Sequence, residues 1–313
     1  MILCQRYRFY KKIYKLSLTF AIMQILPSDK INVTKWNQLV ASEEIGPYDY
    51  SWYMESVSEK WYIFVDKEYT KGFAFSTTKR LGIENVTVAP FIRENNFYGN
   101  WSDQEINVAI ERLKAQFSGG IFQTAKTITG KIRFYQIVKE LALSKHARRN
   151  VNKAKKQEFI IREGRGIQPA YQIMVEELGN KIPDFNEDKH KILKNLFVEL
   201  QSKNLLIIKE IVKHEEVMGG LFFFKGKNRD LYIKGGANEE GKKQGGMYLA
   251  MMEQIEETLS NGKLFDFDGS EVPGVKRFNE YFNTVDEVYY QTQWNNNPSW
   301  YKAIRKVYQV LKK

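Results

Sequence analysis

Cysteine occurs once, as Cys4, in a chain of 313 residues, which excludes an intramolecular disulfide framework and a cysteine-built zinc site. Histidine is nearly as scarce. His146, His190 and His214 stand far apart with no second His or Cys at ligand spacing, so no metal is expected. A chain this poor in thiols suits a reducing compartment, and a cytoplasmic location is the expectation. Long apolar runs are missing too: residues 16–26 make the best stretch, but Ser17, Thr19 and Gln24 interrupt it. It falls short of the roughly 20 apolar residues that cross a bilayer, and no small-residue cleavage site follows to mark a signal peptide. Also absent are G-x-S-x-G, a Walker loop, H-E-x-x-H and a conventional dinucleotide fingerprint.

What is present is ordinary globular material. Hydrophobic residues make up 43%, charged residues 27% and aromatic residues 14%, which excludes disorder and supplies ample core. The length exceeds what one core usually sustains and points to two domains. The formal charge of +11 is concentrated in three acid-free segments. These are 1–22, with five cations, 145–156, with six, and 298–313, with five. The rest of the chain is net acidic, so a uniformly basic DNA-binding surface is not expected. Met23 opens MQILPSDKINVTKW, the natural start of a first strand, and residues 1–22 read as an N-terminal extension.

Periodicity and punctuation order the rest. Residues 29–40 read as a short helix, 61–65 and 72–77 as paired strands, and 84–89 as a strand stopped by Pro90. Ser102 caps a helix to about Phe117, with Ile106, Ala109, Ile110 and Leu113 on one face, and a strand follows at 120–125. The second half opens with helices near 168–178 and 187–201. Strands follow at 205–212, 217–224 and 230–235, on hairpin-length turns. Gly245 and Gly246 then open a helix closed by Asn261-Gly262, 264–267 is a strand, Pro273 starts another helix, and 287–291 is a strand. From Pro298 a basic amphipathic helix is expected to pack Ile304, Val307, Tyr308 and Leu311 on the body.

Helix, helix, three antiparallel strands, Gly-rich turn, helix, strand, helix, strand is the element order of the GNAT acyltransferase fold. Three segments carry a resemblance to the Fem-type, two-domain GNAT-like bacterial acyltransferases: LSKHARRNVNKAKK at 143–156, GGANEEGKKQGGMYLAMMEQIEETLSNG at 235–262 and FDFDGSEVPGVKRFNEYF at 265–282. The first half, through WYMESVSEKWYIFVDKEYTKGFAF at 52–75, resembles the degenerate partner domain of that family. The resemblance implies an α/β (α+β) chain of tandem GNAT-like domains, each a mixed, mostly antiparallel sheet flanked by helices. The expected division is 1–22 extension, 23–143 degenerate domain, 144–297 acyltransferase domain and 298–313 C-terminal basic helix.

The resemblance also implies roles. An acyl-CoA donor would lie along Tyr232, Lys234, Gly235 and Gly236, its pyrophosphate held by Gln244, Gly245, Gly246 and Met247 behind Lys242 and Lys243. Glycine at a helix start allows close approach of phosphate to backbone N–H groups, although it also simply makes turns. This chain carries only a Gln-Gly-Gly fragment of the family's longer glycine pattern. The helix position suggests that Gly246 tolerates a larger side chain at little cost. Asp268 or Glu271 would accept the amine proton and Tyr281 would protonate the leaving thiolate, with Ser270 facing the acceptor. Asp268 reads equally as a turn aspartate, Tyr281 as a core aromatic, and Asp266 as a solvent-facing strand position. Arg148 and Arg149 would clamp an anionic acceptor, or lie on a solvated helix. The implied acceptor is a small-molecule or cell-envelope-precursor amine. Two alternatives stand beside this reading: a Fem-type ligase fed by aminoacyl-tRNA, and a non-catalytic binding protein that keeps the fold.

Overall fold

The computed structural model describes residues 23–43, 46–179, 186–269 and 272–311. The proposed extension, residues 1–22, lies outside them. The chain forms two compact units: one ends at Ile132 and resumes at Tyr289, and the other is Arg133–Val288.

The first unit opens with β1 (Gln24–Pro27), α1 (Val33–Glu43), α2 (Ser51–Val57), β2 (Lys60–Val65) and β3 (Gly72–Arg80). It continues through β4 (Ile83–Thr87), α3 (Asp103–Gln116) and β5 (Gly119–Thr124). Strands β1 to β4 pair antiparallel in chain order, and β4 meets β5 in parallel at Val86↔Gly120, with α3 as the crossover. The β2–β3 turn is fixed by Asp66, whose carboxylate accepts from the amides of Thr70 and Lys71 at 2.8 and 2.9 Å. Ser102 and Glu105 form a reciprocal capping box that sets the start of α3. The expected stripe of α3 is buried against Phe64, Phe73, Phe75, Phe97 and Phe122. Deeper in this unit sits Asp49, fully buried. It accepts hydrogen bonds from Asn95 Nδ2 (2.9 Å), Asn96 N (3.1 Å) and Tyr98 Oη (2.9 Å). Burial outweighs those donors and pushes its carboxyl up to about 6.

The second unit comprises β6 (Lys131–Val138), α4 (Lys145–Lys156), β7 (Ile160–Glu163), α5 (Ala170–Gly179) and α6 (Glu187–Ser202). Next come β8 (Leu206–Lys213), β9 (Glu216–Lys225), β10 (Arg229–Ala237), α7 (Glu239–Lys243) and α8 (Gly246–Ser260). It closes with β11 (Leu264–Asp266), α9 (Pro273–Glu280) and the start of β12 (Val285–Asn295). Its sheet runs β6-β11-β10-β9-β8-β7, antiparallel except for β10–β11. Both units therefore carry one parallel strand pair bridged by helix after an antiparallel run, the tandem GNAT-like α/β architecture. Helix α5 lies unusually close to the sheet. A Cβ on Gly220 would fall 2.6 Å from that of Ala170, and one on Gly236 3.1 Å from Met174 Cα.

The units divide at Ile132, not at Leu143. Strand β6, whose outer half is exposed and shows no alternation, pairs with β11 and ties 133–138 to the second unit. The chain then returns to the first unit. β12 pairs with β5 from Tyr290↔Thr124 to Asn295↔Gly119, and α10 (Ser299–Leu311) follows. The expected packing of the α10 stripe is overturned at two of its positions. Tyr301 is the buried residue, whereas Ile304 and Val307 are 47% and 60% exposed, with Trp300 at 51% beside them. Tyr308 and Leu311 have side chains outside the described set. Among the described residues no helix is long and apolar enough to cross a membrane.

Candidate active site

Strands β10 and β11 pair only over Arg229↔Leu264, Asp230↔Phe265 and Leu231↔Asp266, and then part. Beyond that point β10 carries an irregularity between Tyr232 and Lys234, while the chain after β11 turns through Asp268 and Gly269 at φ 62° and 69°. Aspartate tolerates this left-handed geometry better than most residues, and Gly269 has Tyr135 Cβ 2.9 Å from where its own Cβ would be. The turn is fastened by the Asp268 amide, which donates to Asp266 Oδ1 at 2.8 Å.

The opening is built on a buried ion pair. Asp266 is fully buried and accepts from Arg229 Nη1 at 2.7 Å; Tyr135 Oη donates to Glu287 at 2.5 Å, and Arg229 lies 3.7 Å from that carboxylate. The solvent-facing reading of Asp266 is thereby corrected: this strand is interior to its sheet, so alternation with Phe265 and Phe267 does not bring the side chain to water. Arg229 titrates well above its ordinary range, burial being opposed by Asp266 and Tyr135. The pair costs desolvation, and removing one partner would leave the other charge buried alone.

Past the ion pair, Lys234 lies on β10 and Asp268 in the turn that follows β11. Burial is the main influence on the Lys234 ammonium and lowers it; the charge of Asp268 opposes that effect and Lys189 of α6 adds to it. The Tyr232 phenol is pushed up by burial alone, and its ring meets Phe267 edge-on at 6.3 Å. A Cβ on Gly235 would lie 2.9 Å from Tyr232 Oη, so Gly235 makes room for that phenol.

A second group gathers at the start of α8. Gly245 caps the helix at φ 90°, where a Cβ would stand 2.3 Å from the Asn150 carbonyl of α4. Gly246 is buried, with Ile211 Cγ2 at 2.6 Å from its missing Cβ. These glycines are accounted for by packing, which corrects the expectation that Gly246 tolerates a larger side chain. As first amides of a helix, those of Gly246 and Met247 have no intrahelical acceptor. The preceding lysines are paired, Lys242 with Glu177 and Lys243 with Glu239. Gln244 lies between α7 and α8, its amide bound to the Glu240 carbonyl at 2.9 Å.

Helix α4 buries Ala147, Val151 and Ala154 and holds Arg148 and Arg149 exposed on its outer side. Its first turn supplies a residue that sequence reasoning had set aside. His146 Nε2 lies 3.1 Å from Tyr248 Oη, and its ring lies 4.6 Å from that of Tyr281. Tyr281 thus belongs to an aromatic group with His146, Tyr248 and Phe278, and its carbonyl accepts from the Ser144 amide at 3.0 Å. No hydrogen bond or ion pair among the described residues joins Tyr281 to Asp268. Ser270 and Glu271 lie outside the described residues. The sequence held no signal for His146 beyond its place in the 143–156 segment.

No protein-family model matches this sequence, and no curated protein is significantly similar to it. Solved structures are. FemX aligns with a TM-score of 0.62 over 93% of this chain and 100% of that one, at 10% identity. L-PGS from Bacillus licheniformis gives 0.54 over 90% and 97%, at 15% identity. The C-terminal domain of a putative lysylphosphatidylglycerol synthetase from Agrobacterium fabrum gives 0.53 over 84% and 91%, at 10% identity. The chain has the two-domain Fem/GNAT-like fold.

Proposed function

We propose that this chain is a cytoplasmic N-acyltransferase, moving an acyl group onto an amine at the opening between β10 and β11. The observation that carries the reading is the parting of β10 and β11 beyond Leu231↔Asp266, with Lys234 on the one strand and Asp268 in the turn after the other. In the reaction the amine nitrogen attacks the acyl carbon, the bond from that carbon to the donor's sulfur or oxygen breaks, and one proton leaves the amine. Asp268 takes that proton, directly or through water, with Glu271 as the neighbouring alternative. Lys234 stabilises the oxyanion that forms on the carbonyl. Tyr281 returns a proton to the leaving group, and the acceptor lies against Ser270 and the Arg148–Arg149 pair.

Two donors fit the reading. Acyl-CoA would run along Tyr232, Lys234, Gly235 and Gly236 and place its pyrophosphate on the amides of Gly246 and Met247 next to Gln244 and Gly245. Aminoacyl-tRNA is the second, favoured by the exposed acid-free face of α4 and by the packing that already accounts for Gly245 and Gly246. The acceptor of either reaction is a small-molecule or cell-envelope-precursor amine.

The test is calorimetric titration of the full chain with CoA and, separately, with a charged tRNA whose aminoacyl link is a stable amide. Slow hydrolysis of acetyl-CoA, or of ordinary ester-linked aminoacyl-tRNA, then reads the chemistry in a separate assay, water replacing the amine. Asp268→Asn keeps the turn, because asparagine also tolerates positive φ, and is expected to lose about 100-fold or more in donor breakdown with unchanged melting. Lys234→Met should lose rate and flatten its pH profile. Wild-type protein that binds neither donor, or full turnover in Asp268→Asn, would overturn the reading.

A further inference from the structure

The first unit holds a cavity of about 570 Å³ between its sheet and α10, within the size range of small-molecule sites. Its wall is one-sided in charge. Arg80 at the end of β3 and Lys302, Arg305 and Lys306 on α10 contribute four cations, and the lining contains no carboxylate. Arg80 shares its charge with Glu59 at 3.0 Å. Lys302, Arg305 and Lys306 have no acidic partner among the described residues. Like charges held together at a concave surface raise one another's free energy, and an anion placed among them relieves it.

The floor is polar. Thr78 pairs with Asn85 across β3 and β4, so both side chains stand on the same face of the sheet, next to Thr87 two residues along. Asn85 Nδ2 donates to Tyr301 Oη at 3.2 Å, which pins α10 over the cavity, while Asn85 Oδ1 is buried without a partner. Of the described α10 side chains only Tyr301 is buried; Lys302, Arg305 and Lys306 border the cavity and remain open to solvent, where a soluble anion can reach them.

We infer that this cavity is a binding site, separate from the β10–β11 opening, for a small molecule that carries at least two phosphate charges and a hydrogen-bonding body. Guanidinium groups at 80 and 305 suit bidentate phosphate contact, and the lysines add point charge. The assignment uses residues of the first unit alone and does not depend on the transfer reaction.

Inorganic pyrophosphate is the probe, titrated calorimetrically into the full chain at moderate salt. Three variants are compared with wild type: Lys302→Gln/Arg305→Gln/Lys306→Gln; Thr78→Phe, which fills the floor without changing charge; and Lys191→Gln/Lys194→Gln/Lys227→Gln, which removes the same charge elsewhere. Saturable binding is expected in wild type and in the last variant, weakened at least tenfold in the first two, with all four chains melting cooperatively. Absence of saturable binding to wild type overturns the assignment. So does an equal loss in the control triple, which would mean attraction to net charge, or unchanged affinity in Thr78→Phe, which would place the anion elsewhere.

Discussion

Replacing Asp49 with asparagine should change how stability depends on pH more than it changes the fold. Asp49 titrates near 6 in the folded chain against an ordinary 3.8, because it is fully buried and its donors only partly compensate. Above pH 6 the carboxylate is charged in both states and the folded state bears the desolvation cost. As pH falls through 6 the folded chain takes up the proton before the unfolded chain does, so stability rises, and the gain is complete only below 3.8. The full difference is about 3 kcal/mol, of which about 2 kcal/mol falls between pH 7.5 and pH 4. The substituted asparagine has no such proton. Urea unfolding of wild type and Asp49→Asn at pH 7.5, 6, 5 and 4 isolates the effect, since other carboxylates cancel in the difference. The wild type should gain about 2 kcal/mol on the variant between the first pH and the last. A difference that stays flat, or that grows with rising pH, refutes the reasoning.

Three further outcomes follow from the packing described above. Gly246→Glu should destabilise the second unit by about 3 kcal/mol or more, since Ile211 occupies the side-chain space and the carboxylate would be buried; an unchanged melting temperature would contradict that. Gly274→Ala in α9, where a Cβ meets nothing within 4 Å, should raise stability by about 0.5 kcal/mol in the same denaturation assay. Arg148→Gln/Arg149→Gln should leave melting unchanged, because both side chains are exposed, while weakening binding of charged tRNA in calorimetry; lost stability with intact binding would make them structural.

The parts of the fold that were legible in the sequence depend on neighbours along the chain. The capping box at Ser102 and Glu105, the β8–β9 turn at His214-Glu215 and the Gly245 start of α8 all declare themselves within a few residues. β6 and β7 were missed because exposed edges and half-buried strands carry little apolar alternation. In α10 the period of the stripe was readable but not which face the unit would bury. The site shows the same limit. Gly245 and Gly246 stand out in the sequence, yet Asn150 and Ile211 account for them, and both are remote along the chain. Asp266 answers to Arg229, and Asp268 acts on Lys234, across a strand pairing that spacing alone does not reveal.

The first unit is written in two pieces, with the whole of the second between them. On a ribosome, the β5 edge emerges with its partner strand still untranslated, and Val288 must be passed before residues 290–295 exist to cover it. The inner unit has all its strands by then and can close while the outer one waits. Synthesis therefore imposes an order on assembly. An unsatisfied strand edge is a template for stray pairing, so the interval between β5 and β12 is when this protein is most exposed to aggregation. A ribosome stalled near residue 288 would be expected to release a nascent chain whose inner unit resists protease and whose first unit does not.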